Sequence, residues 1–202
     1  MNTNIKTAAK LAAFAGAFAL TGCAYIPRNV HPTYVPTAQV QKIPGAEDVK
    51  LTVVVHNDKK HHDKDLVSYT IAPAGFETAG VYMHVAKDFK AALSAALKDR
   101  GFHVVKASTK VVKLDINHFW FKAHTGWAVG HQTSYVSYAV SVISNHKIIF
   151  TEKNNFHYNG GVYGGNFHVD DENRAGEAKH LLNETINRII DNHRLIDVLL
   201  QG

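Results

Sequence analysis

The stretch HNDKKHHDKD, residues 56–65, places His56, His61, His62, Asp63 and Asp65 close together along the chain. Imidazole nitrogens and carboxylate oxygens form a donor set for Zn²⁺, Ni²⁺ or Cu²⁺, so these residues are candidate ligands for a divalent metal. Their spacing is not HExxH, which sets two histidines on one helical face, and no thiolate accompanies them. A solvated polar loop is the other reading. The chain holds 14 histidines; near their ordinary pKa of about 6.5 they would add positive charge as an outside medium acidifies, so pH sensing is a further expectation.

Rings offer a second kind of chemistry. NHFWFKAHTGW carries Phe119, Trp120 and Trp127, and FHYNGGVYGGNFHVDD carries Tyr158, Tyr163 and Phe167 among paired glycines. Aromatic side chains give large contact area at low entropic cost, so these six are candidate contacts for a partner protein or polysaccharide. Neighbours on a strand point to opposite faces, so Phe119 and Trp120 cannot share one core. The glycine pairs lack a Walker lysine and open no helix, which argues against phosphate-loop chemistry. No GxSxG elbow and no framed pair of carboxylates is present, so no catalytic residue is assigned and covalent catalysis is not expected. Asp170, Asp171 and Glu172 stand where a last helix begins and suit its positive end.

The only cysteine, Cys23, has a chemistry of its own. It follows the apolar run LAAFAGAFAL, itself preceded by Lys6 and Lys10 with no acid, which is the layout of a signal peptide over residues 1–22. The run is about half of the roughly 20 residues a membrane span needs. Leu20, Thr21, Gly22 and Cys23 resemble a bacterial lipobox. Cleavage between Gly22 and Cys23 would leave an acylated thiol as the new N-terminus, the one covalent group expected, and two or more acyl chains anchor a protein stably in a bilayer. Ala24 rather than Asp after the cysteine resembles the pattern that sorts lipoproteins to the outer membrane, facing the periplasm.

Removing residues 1–22 leaves 180 residues with net charge +3, enough for one domain. No Lys or Arg run exceeds two, so the basic stripe of a nucleic-acid binder is missing. Residues 23–46 are proline-rich and predict an extended linker from the membrane; residues 47–202 predict the folded domain. VKLTVVVHN predicts a first strand over 49–57, and a short strand is expected at 66–71. Apolar spacings of three and four predict a helix from Val81 to Arg100, stopped by Gly101, with GFHVV as a strand after it. Segments 110–121, 127–144 and 147–158 predict an antiparallel meander in which Val112, Leu114 and Ile116 face inward. A last helix is expected from Glu172 to about Leu200. The expected fold is therefore α+β: a mostly antiparallel sheet of about four to five strands with two helices packed on one face.

Lipobox, VKLTVVV, a helix closing as LKDRGFHVV, then VVKLDINHFWF, a long hairpin and LLNETINRII together resemble the YajG family of bacterial lipoproteins over nearly the whole mature chain. The resemblance implies a lipid-anchored, outer-membrane-associated protein that binds another envelope component. A metal-binding lipoprotein using the histidine loop is the alternative.

Overall fold

The computed structural model describes residues 27–36, 40–71, 77–125, 129–159, 163–164 and 171–201. Expectations that fall on residues 1–26, Gly22 and Cys23 among them, lie outside the described residues. Strands β1 (Arg28–Val30), β2 (Lys50–Asn57), β3 (Leu66–Ile71) and β4 (Glu77–Met83) lead to helix α1 (Val85–Asp99). Strand β5 (His103–Val104), the long strands β6 (Lys110–Thr125), β7 (Val129–Ser144) and β8 (Lys147–Asn159), and β9 (Tyr163–Gly164) follow, closed by α2 (Asp171–Ile190) and α3 (His193–Leu200).

The meander of β6, β7 and β8 is antiparallel, as its short links require. The other edge of β6 takes two strands end to end: β2 runs parallel to its first half, with Val53 beside Val112, and β3 parallel to its second half, with Tyr69 beside Lys122. Beyond β3 lie β4 and then β1, which pairs parallel with β4 at the sheet edge. Among the described residues the result is one mixed sheet of nine strands with three α-helices. It corrects the expected antiparallel sheet of four to five strands with two helices. Strands β1 and β4 escaped notice because one lies in a proline-rich stretch and the other runs into α1, where Val81 and Val85 mimic helical spacing. The last helix is interrupted at Asn192, whose side chain accepts from the Leu195 amide (3.2 Å) and caps a new start.

Val112, Leu114 and Ile116 face inward and are fully buried. Between Ile116 and His118 the register shifts by one residue, a bulge at Asn117, and the inward positions become Phe119 and Phe121. Helix α1 buries Val85, Phe89, Leu93 and Leu97 against this face. It ends in a Schellman motif: the Phe102 amide reaches the Leu97 carbonyl (3.0 Å), the Gly101 amide reaches that of Lys98 (2.9 Å), and Gly101 sits at φ 106°. Leu181, Leu182 and Ile186 of α2, and Leu195 and Leu199 of α3, complete one core.

Of the stretch expected as a linker, residues 28–35 and 43 make contacts with the body. After β1, Tyr34 donates to Asn187 Oδ1 (3.1 Å), the Val35 amide to Asn183 Oδ1 (3.0 Å), and the Ile43 amide to the Arg100 carbonyl (2.9 Å). Among the described residues no helix is long and apolar enough to cross a membrane.

Candidate functional site

The helices cover one face of the sheet. On the other face, residues 58–65 leave the sheet at the end of β2 and return at the start of β3, passing over the seam beside the Asn117 bulge. Lys59 is tied down there, 5% exposed, with its Nζ donating to the Leu66 carbonyl (2.7 Å). Between this loop and the sheet lies a cleft of about 490 Å³. Its walls carry the cations Lys59, Lys60 and Lys122, and the rings of His61, Tyr69 and Trp120. Among the described residues no carboxylate lines it.

The rings pack in a defined order. Tyr69 meets Trp120 edge-on at 5.2 Å, the His61 ring lies tilted 5.7 Å from Trp120, and the Lys122 ammonium sits 5.2 Å above the Tyr69 ring. A second row continues from the cleft across the sheet: His118 against Tyr135 (4.7 Å), and Tyr135 stacked on His157 (4.4 Å). Trp120 Nε1 is shut away from water with no acceptor among the described residues. An open sheet face with aligned rings and clustered ammonium groups favours an anion that also has a flat or apolar side.

Burial pushes the Lys59 ammonium down to about 8, against the opposing pull of Asp65 and Asp63, so it keeps its proton at neutral pH. Partial desolvation beside the sheet, aided by the charges of Lys59 and His157, lowers His118 below the ordinary imidazole value. Because Lys59 titrates at about 8 folded and at 10.5 ordinarily, the unfolded chain binds more protons between those values. Stability contributed by this group therefore rises with pH across that window. Urea midpoints measured from pH 8 to 10 are expected to show this rise as a difference between the wild type and Lys59→Met, which lacks it; the raised Tyr138 hydroxyl is common to both proteins and drops out.

The structure divides the candidate metal ligands. His61 Nδ1 accepts from the Asp63 amide (3.2 Å), and Asp63 Oδ1 accepts from the amides of Asp65 (3.1 Å) and Leu66 (3.3 Å), closing the loop on itself. The His62 ring lies tilted against His61 (4.4 Å), and Asp65 faces His84 (3.3 Å). His56 instead points across the β2–β6 pairing to Asp115 (3.0 Å). With Asp58 these two put three ligand atoms within 4.8 Å of one another, and Lys113 Nζ holds the second Asp115 oxygen (2.8 Å). Alternation along β6 shows that Asp115 faces away from the core, but only the parallel register brings it to His56.

The aromatic candidates are divided as well. Phe119 is core, Trp120 is in the cleft, and Tyr158 lies on the helix side, its ring 4.8 Å from His180. Tyr163 belongs to β9, with its side chain outside the description; Trp127 and Phe167 lie outside the described residues. Sequence reading missed Lys59, Lys60, Tyr69 and Lys122 as site residues. Only the outward alternation of Trp120 and Lys122 on one strand hinted at them.

Residues 36–199 match the model of a family described as uncharacterized lipoprotein. No curated protein matches the chain. Among solved structures, protein XCC0632 from Xanthomonas campestris, of family DUF330, has 12% identity and TM-score 0.53, with 85% of this chain and 95% of that one covered. That likeness shows a shared fold. A Helicobacter pylori homolog of neuraminyllactose-binding hemagglutinin has 9% identity and TM-score 0.39, with 83% of this chain and 96% of that one covered.

Proposed function

We propose, on the premise that this chain belongs to the YajG family of uncharacterized lipoproteins, that it is anchored by an acylated Cys23 in the outer membrane, facing the periplasm, and binds an anionic envelope component without covalent chemistry. One observation carries the binding role: three lysines and a Tyr69–Trp120 ring pair converge on one cleft that no described carboxylate lines. Such a site would hold a carboxylate or phosphate by its ammonium groups and the body of the ligand against the rings. An acidic saccharide or a phosphorylated head group has that chemistry. Titration with a soluble acidic oligosaccharide and with glycerol phosphate, followed by NMR, is expected to shift Trp120 and Lys122 signals, weakening with salt as screening requires. Lys60→Glu with Lys122→Glu is expected to abolish those shifts while leaving the thermal melt in place. Absence of any shift with either probe would remove the reading.

A second reading follows from the three ligand atoms of His56, Asp58 and Asp115. If they hold a divalent ion, calorimetry of dialysed protein with Zn²⁺ or Ni²⁺ would show uptake lost in His56→Ala and in Asp58→Asn but retained in His62→Ala. The Lys113 ammonium on Asp115 opposes a cation there, which is why the cleft is preferred.

A further inference from the structure

The pairing of the N-terminal strand says how far the cleft can stand from the membrane. Arg28 is paired with Val81, Val81 with Ser68, and Ser68 with Phe121, so these four residues form one row across the sheet. The next row holds Gly80, Tyr69 and Lys122. The cleft therefore lies at the height of Arg28. Across β4 and β3 to β6 the lateral distance is three strand spacings, about 14 Å.

Cys23 precedes Arg28 by five residues. Fully extended, that length reaches about 17 Å at most. If Cys23 is acylated, as the proposed function holds, the cleft is confined within about 30 Å of the bilayer's polar surface. A tether of some twenty residues, which a linker over 23–46 would have provided, is ruled out by β1: the chain is stitched to the body from residue 28. Within that reach the anions held at fixed and high density are the phosphates of the bilayer itself. Anchoring converts their binding into an event within one surface, so weak individual contacts suffice for occupancy.

We infer that the cleft around Lys122 and Trp120 receives the phosphate-bearing head group of a lipid in the same membrane that holds acylated Cys23. The inference rests on the cleft being an anion site and narrows its source. The phosphate meets Lys60 and Lys122 at the mouth, and the glycerol or first sugar of the head group lies along Tyr69 and Trp120. The body is thereby laid with its open face toward the bilayer instead of projecting from it.

The test uses the full acylated chain in vesicles of phosphatidylcholine with and without phosphatidylglycerol, with hydrogen exchange of the 59–65 loop as readout and mass spectrometry confirming the lipid on Cys23. Exchange is expected to slow by about fivefold or more only with the anionic lipid, the effect of roughly one lysine at a charged surface. Lys60→Glu and Lys122→Glu are expected to remove the slowing. Lys147→Glu, at the exposed β7–β8 turn, is expected to keep it. Equal exchange in both vesicles, or a loss with Lys147→Glu as large as with Lys122→Glu, overturns the inference. If soluble acidic oligosaccharide still shifts Trp120 while vesicles do nothing, the anion site stands and the lipid source falls; if neither probe acts, both fall.

Discussion

Phe119→Ala is expected to destabilise the protein by about 3–5 kcal/mol, the usual cost of truncating a fully buried phenylalanine. The ring has no exposed surface and meets Phe89 of α1 edge-on at 5.3 Å, so its removal opens a cavity between sheet and helix. For a domain of this size that corresponds to a fall in Tm of roughly 10 °C or more, read by thermal circular dichroism. A loss under about 1 kcal/mol would mean that Phe119 is not inward after the Asn117 bulge.

Trp120→Ala, one residue further along, is expected to do the reverse: little change in Tm and a large loss of ligand. The indole is half-buried on the open face and touches Tyr69 and His61. Central aromatic anchors in binding sites are worth about 2 kcal/mol or more, which is about thirtyfold in Kd. Trp120→Phe separates ring from N–H. Its ring keeps the packing surface, and it deletes a donor left without a partner among the described residues, a group that costs about 1–3 kcal/mol when buried. Trp120→Phe is therefore expected to melt no lower than wild type and to bind better than Trp120→Ala in the same NMR titration. Equal affinity for all three proteins would exclude the ring from the site.

Much of the chain was legible because local pattern carried it. Val112, Leu114 and Ile116 alternate, Gly101 stops a helix whose apolar residues recur at three and four, and the β7–β8 hairpin has a two-residue turn at Asn145 and His146, both at positive φ. Phe119 and Trp120 part company as neighbours on a strand must, one fully buried and the other half-exposed. In the histidine loop, nearness in sequence does not become nearness of ligand atoms, because the turn closes on its own backbone. Asp63 spends its carboxylate on the amides of Asp65 and Leu66, and His56 looks to a strand 59 residues away.

Composition and local order alone made the family and most element boundaries legible, because helix and strand periods and short turns are properties of neighbours along the chain. Tertiary structure alone decided that β2 and β3 share one edge of β6, that Asn117 shifts the register, and that residues 28–30 become an edge strand. Parallel pairing joins segments tens of residues apart through backbone hydrogen bonds, which carry no side-chain signature. The cleft exists only because of that pairing, which sets the ammonium groups of a loop over the rings of two distant strands.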